Sequence, residues 1–214
     1  MESLFPYPQS CRAMPTPTSP IALLLAAGRG SRFDAHAHKL LQPFVHHDGR
    51  AGIVATATAA ALLEVMPVVA VVHEAGPLAD ALRQLGCTVC MPGAGEPREM
   101  SASLRCGLQQ AADASGWLVA LADMPRVQPS TLRRLRDALA GGASMVVPVM
   151  QGRRGNPAGF SREHWPELLA LQGDRGARAL LQGPALVEVA VEDEGIFADV
   201  DTPADLQRLR ETLR

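Results

Sequence analysis

Ile21-Ala22-Leu23-Leu24-Leu25-Ala26-Ala27-Gly28-Arg29-Gly30-Ser31-Arg32-Phe33, followed shortly by Lys39, is the stretch that decides the fold class. A short apolar run that stops at glycine reads as a buried strand feeding a loop. The same pattern returns downstream. Val68 to His73, Cys87 to Met91, Trp117 to Ala122 and Met145 to Pro148 are further apolar runs. Between them lie helical patterns over 52–65, 77–85, 101–113 and 130–140, the second stopped by Gly86 and the last by Gly141-Gly142. Helices near 163–171 and 175–182 come next, then an alternating edge strand from Leu186 to Val191. A last helix from Pro203 to Leu213 has Thr202 as its N-cap. This rhythm predicts an α/β fold of three layers with a mostly parallel sheet.

Composition agrees. The 214 residues are 47% hydrophobic and only 4% aromatic, which favours Ala- and Leu-rich helices on a buried sheet over a sandwich of short exposed strands. One domain is expected over 21–214. Residues 1–20, broken by Pro6, Pro8, Pro15, Pro17 and Pro20, read as a flexible tail without the apolar core of a secretory signal. A net charge of −2 gives no global attraction to nucleic acid or anionic membrane. No run approaches the ~20 apolar residues of a membrane span. Cys11, Cys87, Cys90 and Cys106 offer neither a disulfide framework nor a four-ligand zinc pattern. They read as ordinary buried or edge thiols, and a cytoplasmic location is expected.

Ligands of open α/β sheets sit outside the C-terminal ends of the strands, so the informative residues should follow the apolar runs. After the first, Gly28 and Gly30 allow close backbone approach, with N–H groups suited to triphosphate oxygens, and Arg32 and Lys39 add positive charge. Phe33 stands where a dinucleotide fingerprint needs its third glycine, and the Gly-Lys-Ser/Thr of a P-loop is absent. After the fourth run comes Asp123 in Leu121-Ala122-Asp123-Met124-Pro125, a hard oxygen ligand suited to Mg²⁺ or a plain turn cap. Ser101 and Ser103 open a helix, where hydroxyls either cap or contact a nucleotide. Gly152-Arg153-Arg154-Gly155-Asn156-Pro157 and Gly173-Asp174-Arg175-Gly176-Ala177-Arg178 are basic loops suited to a phosphorylated second substrate. Asp201, just before the last helix, either supports a metal or precedes the cap. The histidines His36, His38, His46 and His47 accompany no metal-binding pattern.

Together, these segments resemble the MobA-like NTP transferase family, and most of all its molybdenum cofactor cytidylyltransferases. The likeness runs from Ile21 to Leu209. It is carried by the first glycine loop with Lys39, Met100-Ser-Ala-Ser-Leu104, Leu121-Ala-Asp-Met-Pro125, Arg154-Gly-Asn-Pro157, Gly173-Asp-Arg-Gly-Ala-Arg178 and Asp199-Val-Asp-Thr-Pro203. The resemblance implies a Rossmann-like nucleotidyltransferase fold, an Mg²⁺ cofactor, an NTP and a phosphorylated pterin acceptor, with a molybdoenzyme or its chaperone as partner. Leu25, Ala26, Ala27, Gly28, Gly30, Lys39, Ser101 and Ser103 would then lie on the nucleotide. Asp123 and Asp201 would hold the metal, and Arg32, Lys39 and Asp123 would act in catalysis. Arg154, Asn156, Asp174, Arg175 and Arg178 would face the acceptor. Ala26-Ala27-Gly28 is similar to the cytidylyl branch, where guanylyl relatives more often carry Ala-Gly-Gly. Departures are Phe33 for a usual Met, Asn156 for a common His, Glu99 for a common Gly, and a first loop about two residues longer than usual. The rival readings are a same-fold enzyme using GTP or another phosphorylated acceptor, and a cofactor-binding module without turnover.

Overall fold

The structure is a computed structural model that describes residues 19–26, 33, 38–174 and 176–211. Its main sheet has eight strands. In chain order the elements are β1 (Ile21–Leu25), β2 (Pro43–Val45), β3 (Ala51–Ile53), α1 (Val54–Leu63), β4 (Val68–Val71), α2 (Pro77–Leu85), β5 (Thr88–Cys90), α3 (Met100–Gln110), β6 (Gly116–Leu121), α4 (Pro129–Ala140), β7 (Met145–Met150), β8 (Arg153–Arg154), β9 (Ala158–Ser161), α5 (Trp165–Ala170), β10 (Leu186–Ala190) and α6 (Pro203–Glu211). The sheet runs β10-β7-β9-β6-β1-β4-β5, with β8 paired to β7.

β1 lies at the centre, parallel to β4 on one side and β6 on the other, with Leu24 opposite both Ala70 and Ala120. Its alternate side chains serve two cores. Ala22 and Leu24 point into a layer with Leu62, Leu82, Leu132, Leu135 and Leu206. Leu23 and Leu25 face Leu104, Leu108, Trp117 and Leu168. Helices α1, α2, α4 and α6 therefore cover one face, and α3 and α5 the other, giving the expected three layers. Each fully buried Leu contributes roughly 1.5–3 kcal/mol by leaving water.

Local chemistry explains the helix limits. Pro77 and Pro129 occupy first helical positions, and Gly86, at φ 111°, ends α2 in a left-handed conformation that other residues resist. At α6 the Thr202 hydroxyl accepts from the Asp205 amide at 3.2 Å while the Thr202 N–H donates to Asp205 Oδ2 at 2.9 Å, a reciprocal cap.

The expected mostly parallel sheet is present, with two antiparallel additions: β9 lies antiparallel between β6 and β7, and β8 makes a tight hairpin with β7. Two expected helices need correction. The 175–182 stretch forms only a 3₁₀ turn, Ala177–Leu180, and the 163–171 helix is a 3₁₀ turn followed by the six-residue α5. A small hairpin, β2 with β3, precedes α1 and takes residues 52–53 from the start of the expected 52–65 helix. The Leu186 strand does lie at the sheet edge, parallel to β7. Among the described residues no helix is long and apolar enough to cross a membrane.

Candidate active site

Strand ends bring the key groups together. β6 leaves the sheet at Leu121, and the chain turns sharply: the Ala122 N–H donates to the Leu25 carbonyl (3.1 Å) and the Met124 N–H to the Leu121 carbonyl (3.3 Å). The Thr58 hydroxyl of α1 donates to the Ala122 carbonyl at 3.0 Å, so a buried helix pins the residue before Asp123. On the other side the Val200 N–H donates to the Asp123 carbonyl (2.9 Å), which lays the 199–201 segment beside it. Asp123 and Asp201, far apart in sequence, become neighbours at the C-terminal edge of the sheet.

Lys39 sits between them. It opens the 3₁₀ turn Lys39–Leu41, whose Leu40 is buried. Its Nζ donates to Asp123 Oδ2 at 2.6 Å and to Asp201 Oδ1 at 3.2 Å. The side-chain exposures are 8% for Lys39, 18% for Asp123 and 31% for Asp201, so the cluster is screened from bulk water without being sealed. Burial works against the Lys39 charge, but the attraction and hydrogen bonds of Asp123 and Asp201 outweigh it and hold the ammonium above the usual lysine range. The other carboxylate oxygen, Asp123 Oδ1, is buried without a hydrogen-bond partner. An unpaired buried carboxylate oxygen costs on the order of 1–3 kcal/mol or more, and a cation would relieve it.

That observation tests whether a divalent metal suits these residues, and they fit. Two carboxylates converge where a positive charge already sits, and one oxygen lacks a donor. Among the described residues no cluster of three or more His, Cys, Asp or Glu forms a complete cage. Mg²⁺ habitually takes one or two carboxylates and completes its shell with water and substrate phosphates, which is the donor set present.

Next to this cluster a cleft of about 610 Å³ opens, lined by Leu25, Met124, Asn156, Asp174, Arg178 and Asp199 among others. Arg153, Arg154 and Phe197 also line it. The sequence-derived acceptor residues Arg154, Asn156, Asp174 and Arg178 thus meet in one place. Two of them are engaged with the protein. Arg154 donates to Glu188 at 2.6 Å and to the Leu181 carbonyl at 3.3 Å. Asp174 accepts from the Met100 N–H at 3.0 Å, capping the start of α3. The Arg153 guanidinium stacks over Phe197 at 4.4 Å.

Ser101 and Ser103 are buried in the first turn of α3. The Ser101 hydroxyl donates to Glu99 Oε2 at 3.4 Å and the Ser103 hydroxyl to the Glu99 carbonyl at 3.3 Å, so Glu99 takes both. Leu25 and Ala26 are buried at the end of β1, and the Ala26 N–H is bound to the Val71 carbonyl at 2.9 Å. Beside them a second hollow of about 200 Å³ is lined by Ala26, His38, Val72, His73, Glu74 and Arg98. Ala27, Gly28, Gly30, Arg32 and Arg175 lie outside the described residues. Sequence reasoning had Arg153 inside a basic loop suited to a phosphorylated substrate and Asp199 in the Asp-Val-Asp run, without a role of its own for either, and it gave no role to Thr58 or Phe197. Thr58, in an Ala-rich helix, carried no signal.

The family described as the MobA-like NTP transferase domain matches residues 22–190. The chain belongs to that family. As a MobA-like domain it is of the nucleotidyltransferase class of enzymes, and solved relatives share its shape. Rv0371c from Mycobacterium tuberculosis H37Rv is 32% identical with a TM-score of 0.74, covering 91% of this chain and 99% of its own. A crystal structure of Rv0371c in complex with manganese superposes at 0.70 with 29% identity, covering 91% and 100%. A nucleotidyl transferase from Methanothermobacter thermautotroptrophicus is 27% identical at a TM-score of 0.74, covering 91% and 97%. The bifunctional protein GlmU of Bradyrhizobium diazoefficiens is 29% identical over 161 residues, 75% of this chain and 34% of GlmU. The chain spans about a third of the length of the GlmU proteins it matches.

Proposed function

We propose that this MobA-like domain transfers CMP from CTP to the terminal phosphate of a molybdopterin-type cofactor, with Mg²⁺ at Asp123 and Asp201 and with release of pyrophosphate. The observation that carries the reading is the Lys39 ammonium held between two carboxylates, one with an unpartnered buried oxygen, beside a cleft lined by Arg153, Arg154 and Arg178. That arrangement manages concentrated negative charge, which is the central difficulty when one phosphate attacks another. Cytidine as the base rests on the Ala26-Ala27-Gly28 and Met100-Ser-Ala-Ser stretches, and the pterin on the likeness of the C-terminal loops to cofactor cytidylyltransferases.

In this mechanism an acceptor phosphate oxygen attacks the α-phosphorus in line. A new P–O bond forms as the bond to the β-phosphate oxygen breaks, and pyrophosphate leaves with the electron pair. Bound Mg²⁺ would neutralise and align phosphate oxygens. Asp123 and Asp201 hold that cation, and Lys39, freed from its present carboxylate partners, turns its charge to the triphosphate. Arg32 and the amides of Gly28 and Gly30 are assigned to the departing pyrophosphate. Arg178 and Arg175, with Asn156, are assigned to the acceptor, and Arg154 joins them on leaving Glu188. The cleft supports the reading because its arginines lie beside the two carboxylates, an arrangement in which positioning would supply much of the rate.

The test is turnover with labelled CTP or GTP in the presence of molybdopterin and Mg²⁺, scored by pyrophosphate release. CTP-dependent release that disappears in Asp123→Ala, with an unchanged circular dichroism spectrum, is expected. GTP preference, or release only with a sugar phosphate, moves the chain to another branch of the same chemistry. Nucleotide or pterin binding without pyrophosphate from any combination reduces it to a carrier, and full activity in Asp123→Ala removes the metal assignment.

A further inference from the structure

Cys90 ends β5 and Cys106 lies in the second half of α3, and their sulfur atoms approach to 3.1 Å, with the Cys106 thiol donating to Cys90 Sγ. Both are free thiols and half-buried. The closeness has a cause in the neighbouring residue. A Cβ at Gly107 would stand 3.0 Å from a Val71 methyl and 3.4 Å from Leu23. The missing side chain lets α3 settle close on β1 and β4, and Cys90 is the register partner of Val71 on the next strand. Cys106, one position before that glycine, is therefore delivered onto Cys90. Cys87 takes no part: it packs into the core on the opposite face of the sheet, where burial pushes its thiol up to about 11.

We propose that Cys90 and Cys106 form a covalent modification site, a thiol pair that hydrogen peroxide oxidises to a reversible disulfide. The chemistry balances in two steps. Peroxide takes one thiol to a sulfenic acid with loss of one water, and the second thiol displaces hydroxide from that sulfur, releasing a second water and closing the S–S bond. Two electrons pass from the two sulfurs to the peroxide. The remaining approach is about 1 Å, since a disulfide needs ~2.05 Å. The bond closes the span between residues 16 apart, fixing the 91–99 connection that carries Glu96, Arg98 and Glu99. Glu96 binds Arg105 and Arg98 binds Glu74, so the clamp reinforces contacts already aligned with it. Burial raises the Cys90 thiol above its ordinary range, so a slow, sustained oxidation is expected and not a rapid sensor response.

The full chain carrying Cys11→Ser, to remove a background thiol, is treated with hydrogen peroxide and digested with trypsin without reductant. Cleavage after Arg83, Arg98, Arg105 and Arg126 should yield peptides 84–98 and 106–126 joined, lighter than their sum by two hydrogens, with fragmentation placing the link at Cys90. Dithiothreitol should separate them. The oxidised chain should unfold ~5–10 °C higher, and Cys106→Ala should lose both the link and the shift. Stable sulfinic acid at either cysteine without the linked peptide overturns the proposal. So does a link through Cys87, or three thiols still titratable in the denatured chain after prolonged peroxide, where the disulfide leaves one. The linked-peptide readout stands even where Cys106→Ala folds poorly, because it is made on a chain retaining both thiols.

Discussion

Replacing Lys39 with methionine removes one charge and leaves two carboxylates facing each other. The wild-type ammonium makes two charge-assisted contacts, 2.6 Å to Asp123 and 3.2 Å to Asp201. Methionine preserves most of the side-chain volume beside Leu40, so the loss is electrostatic rather than a cavity. Taking one partner out of a buried ion pair costs about 3–5 kcal/mol. Asp201 is 31% exposed and water can reach it, which places Lys39→Met near the low end, about 3 kcal/mol. The loss should be specific in how it is repaired. A divalent cation that binds only the folded variant stabilises it by mass action, and at a hundredfold excess over its Kd the gain is about 2.7 kcal/mol. Urea unfolding of wild type and Lys39→Met, each with and without MgCl₂, reads both quantities. The expected pattern is a large midpoint drop in the variant and a much larger Mg²⁺ rescue in the variant than in wild type, where the ammonium competes for the same oxygens. A variant as stable as wild type, or one indifferent to Mg²⁺, refutes the reasoning that Asp123 and Asp201 form one cation site.

Two further predictions concern the frame. Asp193 is buried and accepts from the Gln128 N–H (2.9 Å), the Thr131 hydroxyl (2.7 Å) and the Gly195 N–H (2.9 Å), so Asp193→Ala should lower stability by about 3 kcal/mol, read by thermal unfolding, with Asp193→Asn losing less. Burial pushes the buried His46 imidazole below its ordinary value while its Nε2 pairs with Thr56 Oγ1 at 2.9 Å. The unfolded chain then binds the proton more readily, so this contribution is complete above about pH 6.5 and is lost as pH falls toward the lowered native value. Urea midpoints at several pH values should show that slope in wild type and a flatter one in His46→Gln.

The parallel heart of the sheet was legible because β1, β4 and β6 are unbroken apolar runs, and buried parallel strands read that way. β8 and β9 were not. Arg153-Arg154 is two exposed charged residues, and Ala158-Gly-Phe-Ser161 has no β-branched side chain, so pairing with β7 and β6 makes them strands and intrinsic preference does not. The β2–β3 hairpin escaped for another reason: Phe44, Val45 and Ile53 favour strands, but three residues a side are too few to show an alternating pattern. Placing ligand groups after strand ends did bring Lys39, Asp123 and Asp201 to one spot, although 84 and 162 residues separate the contacting pairs. Thr58, holding the Ala122 carbonyl from across the core, left no trace in a run of alanines. Nor did the sequence tell that Ser101 and Ser103 would turn to Glu99, a contact that depends on how α3 is seated.

The cap that the 173–174 turn places on α3 bears on how any mutagenesis of this cleft is interpreted. Met100 N–H points at Asp174, Ser101 N–H at the Gly173 carbonyl, and the Gly173 N–H at Glu99 Oε2. Loop and helix start are tied by three interlocking bonds and behave as a single mechanical piece. An alteration made on the assumed acceptor flank is thereby transmitted to the assumed nucleotide flank. A changed KM in Asp174→Ala would identify neither substrate by itself; only measuring both ligands in the same variant would separate touch from linkage.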